Sequence, residues 1–585
     1  MNRNQSKRNK MENKKPLHNA EDEVKSHSHS IWRLCLILFS LFGTIGCSTE
    51  LLKGSGILER HAIIVDKAGK PYLPIEPLTC TTGESDGCDD SRHWITQEEE
   101  TYLTNAYDEY LDRLIQSVKR HFENKKKNLL LFIHGGLNGQ ENNERTIQLA
   151  EQIKSDTSNE YYPIFVNWNS ALFSSYGEHL TRVRQGETNR WAWATSPTYL
   201  ATDLGRSLIR APVVWWSLVG NDLTSWPSNK DNWFFNFFDL AKKERDANKI
   251  ASTLRDEPSN KNFKFWFGQQ APPTFWKDQV WDSTTTALTY PIKFLLSPLI
   301  DALGKSAWEN MRRRTDLLFH TENDFQANPP QSVASSSTSF EASLTTCNPL
   351  LPEQQGLTHR KAGGALSIFL RKLTKEIHDE DPKQWSITLV GHSMGAIIVN
   401  HILRDFGTCL PIDNIVFMAA ASTVNAYNES VFPYLSMRLK EIKDNQAPPR
   451  VYHLMLHELA ETSETNFFNL APTGSLLVWI DNFLSTPNTP MDRTSGRFTN
   501  LMLSLHTTPE EIRPYISIKR FPGGGSSLGG TSHGIPTHHS DFSKNFRFWK
   551  KDCWEVPELD KIENIEVDKI EFKKFQIENN KNCFY

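Results

Sequence analysis

The sequence predicts an α/β chain, with a mostly parallel central sheet flanked by helices and one large insertion. Three observations carry this. Strand and helix patterns alternate over 101–169, the alternation stops over 170–356, and it returns over 357–550. Together they predict one sheet built from two separated pieces of chain.

In the first piece, Tyr102, Ala106, Tyr110, Leu114 and Val118 recur at helical spacing and predict a helix over 101–122. The apolar run Leu129 to Ile133 predicts a buried strand entering the tight loop His134-Gly135-Gly136. A helix over 146–153 and a strand over 161–168 follow. In the second piece, Leu366, Phe369, Leu370 and Leu373 share one helical face. Strands are expected over 385–390, 414–421, 451–456 and 515–518, with a helix starting at Gly395.

The intervening 170–356 is rich in Trp and Phe and has no clear strand pattern. Its apolar stretch Ala287 to Leu303 is interrupted by Pro291 and Pro298 and contains Lys293, which argues against a membrane-spanning helix. The residues 331–339 are Ser-rich and read as a loop.

Composition narrows the function classes. The 585 residues are 38% hydrophobic and 23% charged, enough apolar material for a large core and too much for a disordered chain. A mean hydropathy of -0.51 argues against a polytopic membrane protein. A net charge of -4 argues against a nucleic-acid partner. That charge is uneven: residues 1–33 carry eight basic and four acidic side chains, so the remainder carries about -8.

After this basic start comes the apolar run Ile31 to Ile45, shorter than the roughly 20 residues a spanning helix needs. It ends at Thr44-Ile45-Gly46-Cys47. Basic leader, short apolar run and small residues before a cysteine resemble the signal peptide of bacterial lipoproteins. That resemblance implies a leader over 1–46, lipidation of Cys47, and a tether and N-terminal extension over 47–100. It implies export and a lipid anchor in the cell envelope, with Ser48 favouring the outer membrane facing the periplasm. Six cysteines remain beyond Cys35 and Cys47; Cys80 with Cys88 is the closest candidate pair, Cys553 with Cys583 a second, and six reduced thiols the alternative. No Cys/His set has zinc-ligand spacing, so no metal is expected.

The most specific motif is Gly391-His392-Ser393-Met394-Gly395, between the apolar strand Ile387 to Val390 and the helical run Ala396 to Val399. A hydroxyl is a weak nucleophile, and a sharp strand-to-helix turn presents it to a base. Glycines on either side avoid collision of a side chain with the neighbouring strand or helix. The His134-Gly135-Gly136-Leu137 loop after an early strand can turn backbone N–H groups toward a substrate oxygen.

These two motifs resemble the α/β-hydrolase superfamily, in its lipase and esterase branch, over about half of the chain. The resemblance implies an α/β-hydrolase fold with Ser393 as nucleophile and an oxyanion hole from Gly135, Gly136, Leu137 and Met394. It implies the order Ser, acid, His. After the last expected strand come His533, His538 and His539; His539 leads because His539-Ser540-Asp541-Phe542 precedes an expected aromatic helix, Phe546 to Trp549. The acid should follow the strand over 451–456, where Glu461 is first choice beside Glu458 and Glu464; Asp481 follows the run Leu476 to Ile480 and is a further candidate. The insertion would form a mainly helical cap, with 551–585 as a C-terminal extension.

The expected activity is ester hydrolysis through a Ser-His-acid triad and an acyl-enzyme, without a cofactor. The expected partners are an amphipathic or lipid-like ester and, through the anchor, a membrane. Two alternatives stay open. One is an acyltransferase or peptidase with the same triad. The other is a non-catalytic envelope lipoprotein using a degenerate hydrolase fold as a binding surface.

Overall fold

Seven parallel strands form an open sheet, and an eighth short strand extends it at one edge. In chain order they are β1 (Ala62–Val65), β2 (Lys127–Ile133), β3 (Tyr162–Trp168), β4 (Lys264–Phe267), β5 (Trp385–His392), β6 (Ile412–Met418), β7 (Arg450–Leu456) and β8 (Ile516–Phe521). The spatial order is β1-β3-β2-β5-β6-β7-β8-β4. The computed structural model describes residues 56–66, 69, 97–123, 125–136, 141–156, 160–184, 187–189, 191–225, 263–267, 276–320, 363–442, 447–464, 472–521, 536, 538–555 and 583. All of these belong to the second of two units, Gly54–Tyr585. The leader, Cys47, Cys80, Cys88, Leu137 and His533 lie outside the described residues.

The strands read as nearly continuous apolar runs because both faces of the sheet are covered. The helix α1 (Gln97–Phe122) buries Tyr110, Leu114 and Val118, the stripe its spacing predicts. After α2 (Glu141–Asp156) and the helices of the insertion, α6 (Ala365–Asp379) does the same with Leu366, Phe369, Leu370 and Leu373. Burial of each such side chain stabilises the fold by about 2 kcal/mol.

The insertion is mainly helical among its described residues: α3 (Leu172–Thr181), α4 (Ser196–Ser225) and α5 (Trp276–Leu317). One feature departs from the sequence expectation. The insertion contributes β4, paired in parallel with β8. Pro291 and Pro298 sit inside one helix of 42 residues. Pro298 has no N–H for the carbonyl of Phe294, four residues earlier. Trp215 of α4 supplies the missing donor, its Nε1–H reaching that carbonyl at 2.8 Å. Ser207 donates to the Pro298 carbonyl, and Arg210 pairs with the buried Asp301 at 3.0 Å. Lys293 is buried, and its ammonium donates to Thr473 Oγ1 at 2.9 Å. Among the described residues no helix is long and apolar enough to cross a membrane.

Of the expected cysteine pairs, Cys553–Cys583 is present. Cys409 is disulfide-bonded as well.

Strand order singles out one point of the sheet. β2 and β3 run outward to one side, and the chain then returns to add β5 on the other side of β2. In open parallel sheets, ligands bind beyond the carboxyl ends of the strands where the order reverses. That point lies between β2 and β5. Ile133 pairs with Gly391, so the loop after β2 begins beside the turn after β5.

Candidate active site

Ser393 stands at the tip of the turn between β5 and α7 (Gly395–Phe406), with φ of 51°. That left-handed conformation is uncommon for any residue with a side chain, and it concentrates at functional turns. The turn is held from both sides: the Ser393 N–H donates to the Met418 carbonyl at 2.9 Å, and the Ala421 N–H donates to the Ser393 carbonyl at 2.9 Å. The flanking glycines are dictated by space. A Cβ at 391 would meet Val399 Cγ2 of α7 at 2.8 Å, and one at 395 would run into the Ile133 carbonyl at the end of β2.

The Gly135-Gly136 loop closes over this turn. A Cβ at 135 would lie 2.7 Å from Ser393 Cβ and 2.9 Å from His392 Nδ1; one at 136 would lie 2.6 Å from Met394 Sδ and 2.9 Å from Met311 Cε of α5. His134 shapes the loop. The Trp168 N–H donates to its Nε2 at 3.2 Å, which leaves the proton on Nδ1, donated to the Gly135 carbonyl at 2.7 Å. Burial holds its pKa down to about 4. Ser170 Oγ donates to the same carbonyl at 3.2 Å.

His539 is buried, with its ring centroid 5.1 Å from that of His392. His392 Nε2–H donates to the His539 carbonyl at 3.2 Å, and the His539 N–H donates to a Glu464 carboxylate oxygen at 2.9 Å. Burial, then the neighbouring His392, lowers the His539 pKa well below the usual histidine range. Among the described residues neither ring nitrogen of His539, nor Ser393 Oγ, has a hydrogen-bond partner. His538 points elsewhere: its backbone N–H and Nδ1 both face the Asp541 carboxylate, which raises its pKa. The expected aromatic helix over 546–549 is a turn between two short helices, Asp541–Lys544 and Lys551–Trp554. Its Phe548 ring stacks on Phe132 of β2 at 4.2 Å and seats the segment against the sheet.

The carboxylates separate by what they bind. After α8 (Val424–Glu441) and β7 comes α9 (Glu458–Ser463), with Glu464 at its end. Glu458 pairs with Arg497 and accepts from Thr499 Oγ1 at 3.3 Å. Asp481 accepts from the Thr494 N–H at 2.8 Å, Arg497 at 3.1 Å and Asn500 at 2.8 Å. Glu461 is fully buried and accepts from Ser475 Oγ, and burial pushes its pKa up to about 8. Glu464 alone of the four hydrogen-bonds to His539, and burial raises its pKa.

The structure therefore brings Ser393, Gly135, Gly136, Met394 and His539 into one cluster and assigns Glu458, Glu461 and Asp481 to other contacts. Sequence reasoning missed two participants. His392 occupies the variable position of the motif and carries no signal of its own. Met311 comes from the insertion, far away in the chain. Among the described residues no group of His, Cys, Asp and Glu could hold a metal ion. No family model matches the chain, and neither a curated protein nor a solved structure matches it.

Proposed function

We propose that the chain is a serine ester hydrolase of α/β-hydrolase type, with α4 and α5 as part of a cap, exported and held in the bacterial envelope through Cys47. The observation that carries this reading is the left-handed Ser393 at a strand–turn–helix tip with a Gly-Gly loop packed on it. Ser393 Oγ attacks the ester carbonyl carbon while His539 takes the hydroxyl proton. The backbone N–H groups of the Gly135-Gly136-Leu137 loop and of Met394 stabilise the oxyanion. Collapse expels the alcohol, which receives the proton from His539. Water, deprotonated by His539, then hydrolyses the acyl-enzyme and restores Ser393. Glu464 is better placed than Glu461, Glu458 or Asp481 to orient His539. The apolar insertion favours an amphipathic ester. Apo sites often hold such groups beyond hydrogen-bond distance until substrate binds.

A fluorophosphonate probe tests the reading. The wild type is expected to be labelled and Ser393→Ala to be inert, with His539→Gln lowering the labelling rate at least about 100-fold and His538→Gln leaving it within a few-fold. Equal labelling of wild type and Ser393→Ala would overturn it. The missing hydrogen bonds at Ser393 Oγ and His539 favour a second reading, a binding scaffold that has lost its relay. A folded wild type with no labelling under any pH would favour that one.

A further inference from the structure

We propose that the ridge formed by α4 and α5 is a docking surface for a lipid bilayer. Leu208, Ile209, Val213 and Trp216 of α4 and Ile292 and Leu295 of α5 are 44% to 83% exposed. Ile209, Val213 and Trp216 follow one another at i+4 and i+3 and so form one stripe, with Leu208 to one side of it. The two helices are joined by the Trp215–Phe294 and Ser207–Pro298 hydrogen bonds, which set Ile292 and Leu295 beside that stripe. A water-facing surface rarely leaves so many large apolar side chains together.

The charge pattern selects the occupant. Between Ser196 and Val219 the one carboxylate is Asp203, and it is buried. Between Thr289 and Ile300 there is none. Asp301 is buried and paired with Arg210. The exposed charge on this stretch of α4 is thus cationic, with Arg206 in the open. An exposed tryptophan beside aliphatic side chains and arginines, without carboxylates, is the chemistry of the headgroup–acyl boundary of a membrane carrying anionic lipid. α5 also reaches the Gly135-Gly136 loop through Met311, about 24 Å along the helix from Leu295. The inference does not depend on the hydrolase reading, since it concerns the face and not the reaction.

Tryptophan quenching by bromine-labelled acyl chains tests it on the full chain, whatever the N-terminal anchor does. The vesicles are phosphatidylcholine with phosphatidylglycerol, with and without bromine. The wild type is expected to lose more of its emission on brominated vesicles than Trp216→Phe does. Ile209→Glu with Leu295→Glu should be quenched no more than Trp216→Phe. Equal fractional quenching of the wild type and Trp216→Phe overturns the proposal. So does a dimer in lipid-free sedimentation that becomes a monomer in Ile209→Glu with Leu295→Glu, which would give the ridge to a second copy. Fluorophosphonate labelling of the same variants in solution should equal wild type, so a failure here is distinguishable from a failure of the hydrolase reading.

Discussion

Gly135 and Ser393 come so close that a Cβ on residue 135 would lie 2.7 Å from Ser393 Cβ. The loop after β2 and the turn after β5 are therefore fitted to one another at the atom where a side chain would begin. Gly135→Ala is expected to lower the rate of fluorophosphonate labelling by about 100-fold or more, because displacing the loop withdraws its oxyanion donors. Gly177→Ala is the control. A Cβ there meets nothing within 4 Å. It should leave labelling unchanged and raise the melting temperature slightly, since alanine favours a helix over glycine by about 1 kcal/mol.

Ser393 is held at φ of 51° by its backbone hydrogen bonds to Met418 and Ala421. A side chain in this conformation costs about 1–2 kcal/mol that glycine does not incur. Both Ser393→Gly and Ser393→Ala should abolish labelling. Ser393→Gly should nevertheless be more stable than Ser393→Ala by about 1 kcal/mol, after allowing for the greater freedom of unfolded glycine. Urea unfolding of the two variants reads the difference; equal midpoints would mean that the turn is unstrained.

The strands and the elbow were legible because their signals are local. A buried parallel strand is an unbroken apolar run, as in Leu129 to Ile133, and the turn after Val390 needs glycines at fixed offsets. Which carboxylate hydrogen-bonds to His539 was not legible, because it depends on partners far off in sequence. Glu458 and Asp481 look available until Arg497 is folded between them, and Glu461 until Ser475 is placed against it. How α5 accommodates its prolines was not legible for the same reason. Pro298 leaves the Phe294 carbonyl without a backbone donor, and Trp215, 79 residues from Phe294 in the chain, supplies one. β4 escaped notice because four residues carry too little pattern to separate a strand from an apolar loop.

The Trp215–Pro298 arrangement makes a quantitative prediction. Trp215→Phe leaves the Phe294 carbonyl without its side-chain donor and should cost about 1–2 kcal/mol. In a Pro298→Ala background the restored N–H of residue 298 can take that carbonyl, so the same substitution should cost less. The double-mutant cycle should show a coupling of about 1 kcal/mol in urea unfolding. Additive effects would mean that the tryptophan contributes packing alone.

Glu461 gives a prediction about pH. Burial pushes its carboxyl up to about 8, whereas in the unfolded chain it titrates as an ordinary glutamate, near 4.3. Between those values the native state binds more protons than the unfolded state, so this group's contribution falls as pH rises and levels off above about 8. The buried histidines act in the opposite sense and at lower pH. Burial holds His392 and His134 down to about 4, so their contribution is complete above about 6.5 and is lost as pH falls toward 4. Wild-type stability should therefore drop on both sides. Glu461→Gln keeps a hydrogen-bonding group against Ser475 and removes the charge, so it should lessen the alkaline decline, leaving the part that Glu464, also raised by burial, contributes, and leave the acid side unchanged. Relative to wild type it should gain on the order of 1–3 kcal/mol between pH 6 and pH 8.5, read from melting temperatures across that range. A parallel decline in both proteins would place the alkaline sensitivity elsewhere than at Glu461.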